Sequence, residues 1–374
     1  MAARLMGFHG LPVWRNGRRK GLKIPWPITG RVGSSPTTGT ARAGFRLHRD
    51  RGVIGSGGRG GGAGSVCGCM ADSEIITANT RYCAVFGHPV KHSASPAMQN
   101  AGFCALGLPW RYLAFDVEPE GLSAAIAGAK AMKFIGLNLT VPHKVAAVEM
   151  MDELDETARV LGAVNTVRFE ARDESGCWKP LGQFDEVRGL ELRSVGFNTD
   201  AEAISRVIRS DLGVELRGAV AVVLGAGGAG RTAALQLAAE GVKELWLVNR
   251  TVSKAEALAW EIRQRLAGVK VEIGYPSCPV DVIINATSLG LGRDDPLPFD
   301  PKAFDMKRAK SVFDMVYRPA ETLFVRVGKA AGCRCTNGLG MLLYQGISAL
   351  ELWSGLRAPI DQMRRALEIE VYGK

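Results

Sequence analysis

The sequence predicts an α/β protein of two domains, an N-terminal α/β domain followed by a doubly wound parallel sheet. Short apolar runs bounded by turn residues recur through residues 80–317, the pattern of strands buried on both faces. Stretches with helical character separate them. In the second half a glycine turn joins one such strand to the helix after it, and the first half has no counterpart.

Along the chain, "YCAVFG" (82–87) is the first strand, followed by "HPVKHSASP" and a helix from about Pro96. Ser93 and Ser95 stand just before that helix, in the position of N-caps. "WRYLAFDV" (110–117) and "FIGLNLTV" (134–141) are the next strands. The latter carries Asn138 and Thr140 and runs into Pro142, His143 and Lys144. A plain core strand has no use for an amide and a hydroxyl near its end, and ligands of open α/β sheets sit beyond the carboxyl ends of strands. Residues 138–144 are therefore a candidate site; the alternative is a turn-capping Asn138 and a Lys144 solvated in a first helical turn. "GAVNTVRF" (162–169) puts Asn165 at the start of a further strand. Each polar residue alone is explained as well by a cap or a turn. Their clustering at strand ends suits a small polyhydroxylated acid.

From Gly218 the pattern is strand, turn, helix, turn, strand. The strand is Val220–Leu224, and Gly225, Ala226, Gly227, Gly228, Ala229 and Gly230 form a G-x-G-x-x-G turn. Arg231–Glu240 is helical, Gly241 ends it, and Glu244–Val248 is the next strand. Such glycines let the backbone approach a pyrophosphate, and the helix N-terminus offers it N–H groups and partial positive charge. A Rossmann-like dinucleotide site is expected. The second strand ends in Asn249, Arg250 and Thr251, without the Asp or Glu that would take a ribose 2′-hydroxyl. A guanidinium pairs with a 2′-phosphate instead, so NADP is the expected cofactor. "VDVIINATSLG" (280–290), with Asn285, Thr287, Ser288 and Gly290, and "SVFDMVY" (311–317) continue the sheet.

At 374 residues the chain has room for about two or three domains. Its net charge of +10 is unevenly placed: residues 1–69 hold twelve of the 47 Lys and Arg but one of the 37 Asp and Glu, leaving 35 against 36 beyond them. A near-neutral globular part speaks against nucleic acid as a partner. The longest smooth apolar stretch, 218–230, is too short and glycine-rich to span a bilayer, so no membrane partner is expected either. The eight cysteines include no C-x-x-C pair, which points to free thiols in a reducing cytoplasm and to no metal site. Monomer and homodimer are equally open.

Residues 1–69 contain 17 of the 46 glycines and no sustained periodicity, and are expected to be disordered. They lack the apolar core of a secretory signal; they share Arg richness with transit peptides but not amphipathic spacing. "WRNGRRKGLKIP" and "RVGSSPTTGT" look like a transfer-RNA gene read as protein, which makes Met70 the expected natural start.

"GHPVKHSASPAMQNAGF", "NLTVPHK", "GAVNT", "GFNTD", "GAGGAG", "VNRT" and "GLGMLLYQG" stand in the order found in shikimate dehydrogenases, and residues 80–370 resemble that family throughout. The resemblance implies two α/β domains around a cleft: a substrate domain over 70–198, an NADP domain over 199–340, and helices in 341–374 returning to the first. It implies that Ser93 and Ser95 hold the substrate carboxylate with Tyr317, and that Asn138, Thr140, Asn165 and Gln345 bind the ring and its hydroxyls. Lys144 and Asp200 would flank the reacting carbon, and Gly340 and Met341 line the nicotinamide side. The activity implied is reversible NADP-dependent reduction of 3-dehydroshikimate to shikimate. Negative charge builds on the carbonyl oxygen as hydride arrives, and an ammonium there stabilises it and can supply the proton. His143 is read as a helix-start residue without a catalytic role.

Three departures from the family pattern stand out: Gln99 in Met98-Gln99-Asn100, Ala201 after Asn-Thr-Asp, and a longer stretch at 170–195, open to reading as a surface excursion, a cleft flap or an oligomer contact. A quinate or quinate/shikimate dehydrogenase using NAD is the nearest rival, with Arg250 against it. A non-catalytic ligand sensor is the other, with Lys144 and Asp200 against it.

Overall fold

The computed structural model describes residues 76–373; the readings made for 1–69 lie outside them. The first half runs β1 (Arg81–Gly87), α1 (Ser95–Ala105), β2 (Trp110–Asp116), α2 (Leu122–Ala131), β3 (Gly136–Leu139), β4 (Glu153–Leu154), α3 (Glu156–Leu161), β5 (Thr166–Arg172), β6 (Trp178–Pro180) and β7 (Leu192–Phe197). After α4 (Thr199–Ser210) come β8 (Val220–Leu224), α5 (Gly228–Ala239), β9 (Glu244–Val248), α6 (Val252–Arg265), β10 (Lys270–Ile273), β11 (Val282–Asn285), β12 (Ser311–Asp314), α7 (Leu323–Ala330) and β13 (Arg334–Thr336). Helices α8 (Leu339–Ser354) and α9 (Ile360–Tyr372) close the chain.

The second sheet is parallel throughout, in the order β10-β9-β8-β11-β12-β13. Its strands follow the dinucleotide-fold order, with the switch point beside β8. The first sheet is mixed. Its order is β2-β1-β3-β5-β7-β4, with β6 on β5, and β5 runs antiparallel to both β3 and β7. The reversal follows from the connection: the chain leaves β3 at one sheet end and re-enters β5 at that same end, with Asn138 opposite Thr166 and Thr166 opposite Phe197. The end of β3, the start of β5 and the end of β7 thus meet at one edge. In a wholly parallel sheet Asn165 would lie at the opposite end from Thr140.

Helix α8 is bedded on this sheet through Trp353, which is fully buried and donates from Nε1 to the Val167 carbonyl at 3.0 Å. Gly136 makes room for it: a Cβ there would lie 2.0 Å from that nitrogen. α9 packs on α1, and α4 packs along α8. In α1, Gln99 donates to the Gly346 carbonyl of α8 at 2.9 Å, so this departure from the family pattern has a packing use.

The long stretch at 170–195 is a hairpin extension. Leu181 is fully buried, and Arg81 donates to the Leu181 and Phe184 carbonyls at 2.9 and 2.8 Å. A Cβ on Gly182 would lie 2.2 Å from the Trp353 carbonyl oxygen. The extension is thus packed onto the body of the protein.

At the end of β12 the Asp314 carboxylate is fully buried and accepts from Thr322 Oγ1 at 2.5 Å, Asn285 Nδ2 at 2.9 Å and the Val316 N–H at 3.0 Å. Burial raises its pKa above the ordinary 3.8, and the three donors oppose that rise. A carboxyl raised on folding contributes stability below its unfolded value and loses it as pH climbs through the folded one. Asp314→Asn, which removes the charge, should therefore gain on the wild type as pH rises from 4 towards 8 in urea unfolding. Parallel pH profiles would contradict this. Asp314→Ala should instead cost about 1–3 kcal/mol for each buried donor left unpaired.

Candidate active site

Two sheet ends face a common cavity. Of the residues singled out from the sequence, Ser93, Ser95, Asn138, Thr140, Lys144 and Asn165 line it from the first half, and Asp200 joins them from the first turn of α4. Tyr317, Met341 and Gln345 complete it. No residue of 170–195 lines it, so that stretch is not a flap over this cavity.

Each side chain is placed by a local cause. Asn198 caps α4, accepting the Ala201 N–H and donating to the Ala163 carbonyl at 2.9 Å, which sets the next turn so that Asp200 faces inward. Ser95 is the first residue of α1, whose N-cap is Ala94; neither serine caps by its side chain, though Ser93 Oγ accepts the Ser95 N–H at 3.4 Å. Lys144 lies in a turn following β3, not in the first helical turn of the alternative reading, and its carbonyl accepts the Val164 N–H at 2.8 Å. Its Nζ donates to Asp200 Oδ2 at 2.7 Å. The lysine side chain remains one-third exposed, against 12% for the aspartate. An ammonium so held is oriented by a carboxylate and open to the cavity.

His143, read as a helix start, is in the same turn. It is buried outside the cavity and its Nε2 donates to the Val117 carbonyl at 2.8 Å. Burial lowers its pKa, the Val117 bond opposes that, and nearby His88 adds to it. Burial likewise raises the Tyr317 phenol, with Arg318 acting the other way, so Tyr317 faces the cavity as a neutral donor. Gly340 is not a lining residue: a Cβ there would meet Asp211 of the α4 end at 2.5 Å, and Gly338 stands at the cavity instead. Val85, His92, Met315 and Leu342 also line it; an apolar strand or helix residue such as Val85 or Leu342 carries no sequence signal that separates a wall from a core.

Across the switch point, Gly225 at φ +105° carries the turn out of β8, and a Cβ on Gly230 would fall 2.0 Å from the Gly225 carbonyl oxygen. Those two glycines are required by packing. Around Gly227 and Gly228 an added Cβ would meet nothing within 4 Å, so the turn leaves open space in front of the helix end. Helix α5 begins at Gly228, three residues ahead of the expected Arg231, because the extended Gly227 already serves as its N-cap. Gly228, Ala229 and Gly230 therefore lie within the first turn, whose N–H groups point out of the helix. Asn249 Oδ1 accepts the Ala226 N–H at 3.0 Å and ties β9 to the turn. Arg250 is exposed beside it and makes no ion pair or hydrogen bond among the described residues. Thr251 is the N-cap residue of α6, and Thr287 is held by its N–H and hydroxyl to Asn285 Oδ1 at 3.0 and 2.7 Å. Ser288 follows, exposed. A pyrophosphate fits this cradle and a 2′-phosphate fits Arg250.

A parallel dinucleotide-type sheet, set across a polar cavity with an oriented lysine, defines a two-domain α/β dehydrogenase. Three family models match the chain: the shikimate dehydrogenase substrate binding domain over residues 85–167, shikimate/quinate 5-dehydrogenase over 207–289, and the shikimate 5′-dehydrogenase C-terminal domain over 338–368. The shikimate dehydrogenase (NADP(+)) of Methanopyrus kandleri is 41% identical over 306 residues, covering 80% of this chain and 98% of that protein. Among solved structures, the shikimate 5-dehydrogenase of Thermus thermophilus in complex with NADP(H) and shikimate aligns with a TM-score of 0.64 at 34% identity, covering 78% of this chain and 99% of that one. The ligand-free 5-ketofructose reductase of a Gluconobacter strain aligns with a TM-score of 0.65 at 33% identity, covering 78% and 99%. The chain belongs to the shikimate dehydrogenase family.

Proposed function

We propose that this chain interconverts 3-dehydroshikimate and shikimate with NADP, in the cytoplasm, with the roles assigned residue by residue below. The observation that carries the reading is the Lys144–Asp200 pair at 2.7 Å, set in a cavity lined by Ser95, Asn138, Asn165 and Gln345. Residues 70–198 with 341–374 would hold the substrate and 199–340 the dinucleotide.

When bound, the dinucleotide supplies or accepts the hydride. The chain's own residues do the rest. Ser93, Ser95 and Tyr317 offer hydroxyl donors to the carboxylate; Asn138, Thr140, Asn165 and Gln345 hold the hydroxyls. Lys144 places an ammonium at the reacting oxygen, stabilising negative charge during reduction and passing a proton to it. Asp200 holds that ammonium in place. The turn 225–230, Asn249, Arg250, Thr251, Thr287 and Ser288 bind the dinucleotide, with Met341 against its reacting end.

The test is a paired assay on the full chain and on one begun at Met70. Shikimate is supplied with NADP⁺ or NAD⁺, with quinate and 5-ketofructose as competing substrates. Strong turnover of shikimate with NADP⁺ alone is expected. Preference for quinate with NAD⁺ would move the protein to the quinate branch of the same family. Ligand binding without turnover would make it a sensor, which the intact Lys144–Asp200 pair argues against.

A further inference from the structure

Behind the cavity wall lies a chain of hydrogen bonds through two side chains that do not touch the cavity, Tyr112 and Thr166, at 1% and 0% exposure. The Tyr112 hydroxyl donates to Asn138 Oδ1 at 2.7 Å. Asn138 Nδ2 donates to Thr166 Oγ1 at 2.9 Å and to the Asn165 carbonyl at 3.3 Å. The Thr166 hydroxyl donates to Asn165 Oδ1 at 3.2 Å, and that oxygen also accepts the Thr199 N–H at 2.8 Å. Asn165 Nδ2 donates to Thr199 Oγ1 at 3.0 Å.

Two backbone groups set the sense of this chain. A carbonyl only accepts, so the Asn138 atom facing the Asn165 carbonyl is its nitrogen. An N–H only donates, so the Asn165 atom facing Thr199 N is its oxygen. Both hydrogens of the Asn138 amide are then engaged, leaving a lone pair on its oxygen, while Asn165 keeps one N–H. Tyr112 is anchored in turn. Its N–H donates to Asn100 Oδ1 and its carbonyl accepts from Asn100 Nδ2, each at 2.9 Å, in place of the neighbour that the edge strand β2 lacks. Burial pushes its phenol well up, Cys83 adds to this and a hydrogen bond with Ser95 opposes it, so Tyr112 stays a donor at neutral pH.

Resting on the function proposed above, we propose that Tyr112 and Thr166 are positioning residues that hold the pocket in the polarity those backbone groups set. Asn138 is held as an acceptor and Asn165 as a donor, so the site selects a substrate hydroxyl that donates to the first and one that accepts from the second. Neither Tyr112 nor Thr166 meets the substrate.

Tyr112→Phe and Thr166→Val keep size and burial and delete one hydroxyl each; Thr166→Ser restores it. With shikimate and NADP⁺, the first two should raise KM for shikimate about five- to tenfold, leave KM for NADP⁺ within about twofold, and Thr166→Ser should return to wild type. Unchanged KM for shikimate in both variants overturns the proposal. So do equal rises in both KM values tracking a lowered unfolding midpoint, the mark of a purely structural role. Side-chain ¹⁵N–¹H spectra of asparagine-labelled protein give a reading free of turnover. The Asn138 amide should exchange slowly in the wild type and faster in Thr166→Val. If shikimate is not turned over, the proposed function falls, and rapid Asn138 exchange in the wild type would separately overturn the relay.

Discussion

Replacing Lys144 by alanine is expected to lower kcat at least about a hundredfold with the fold intact. Positioned proton transfer is worth about 10²–10⁴ in rate, and Lys144 is the cation that meets Asp200 inside the cavity. Folding should not suffer, because Lys144 is in a surface turn and its side chain is one-third exposed. What its backbone contributes, the carbonyl that accepts Val164 N–H, survives the substitution. Far-ultraviolet circular dichroism and an unchanged unfolding midpoint would establish the intact fold. A kcat within a few-fold of wild type would remove Lys144 from the chemistry.

The second large effect concerns the cofactor. Arg250→Ala should raise KM for NADP⁺ about ten- to a hundredfold, the size expected for losing a charge-assisted hydrogen bond of about 1.5–3 kcal/mol. KM for NAD⁺ should change less than about threefold, since that dinucleotide has no 2′-phosphate to lose. Arg250 is exposed at the end of β9 and has no ion-pair partner among the described residues, so its removal should leave stability untouched. Equal losses for both dinucleotides would mean that Arg250 acts on the shared part of the molecule.

The strands of the second half were legible because each is a short apolar run between breakers, and Val220–Leu224 and Glu244–Val248 stand as read. The start of α5 was misplaced because glycines at 228 and 230 read as turn; in the structure both are first-turn residues, Gly230 packed against the Gly225 carbonyl and Gly228 facing open space. The direction of β5 was not legible at all. Periodicity reports burial, and a strand buried on both faces looks alike in either direction. Asn138 and Asn165 could be marked as polar residues at strand ends, and Asp200 only through the family resemblance; that they share one end rests on the register Asn138–Thr166–Phe197. Tyr112 and Thr166 escaped notice because a buried tyrosine or threonine in a strand is what strand propensity predicts anyway. Gly338 and Gly340 differ by two residues at the start of α8, one its N-cap and the other in its first turn, and only the packing of α8 on α4 decides which one faces the cavity.

The reversed β5 also tells an engineer where this chain will accept foreign sequence. The β5–β7 ladder is pinned at the catalytic edge by Thr166 opposite Phe197 and runs to Ala171 opposite Leu192, about 17 Å away at strand spacing. Everything between Arg172 and Glu191 grows from that distal end. Residues there can be lengthened, trimmed or replaced by a reporter peptide without shifting the rung on which Asn165 and Asp200 depend, provided the seat of Leu181 and Gly182 beneath Trp353 is kept. An enzyme whose loop length varies freely in this place, and nowhere nearer the cleft, is what such a hairpin permits.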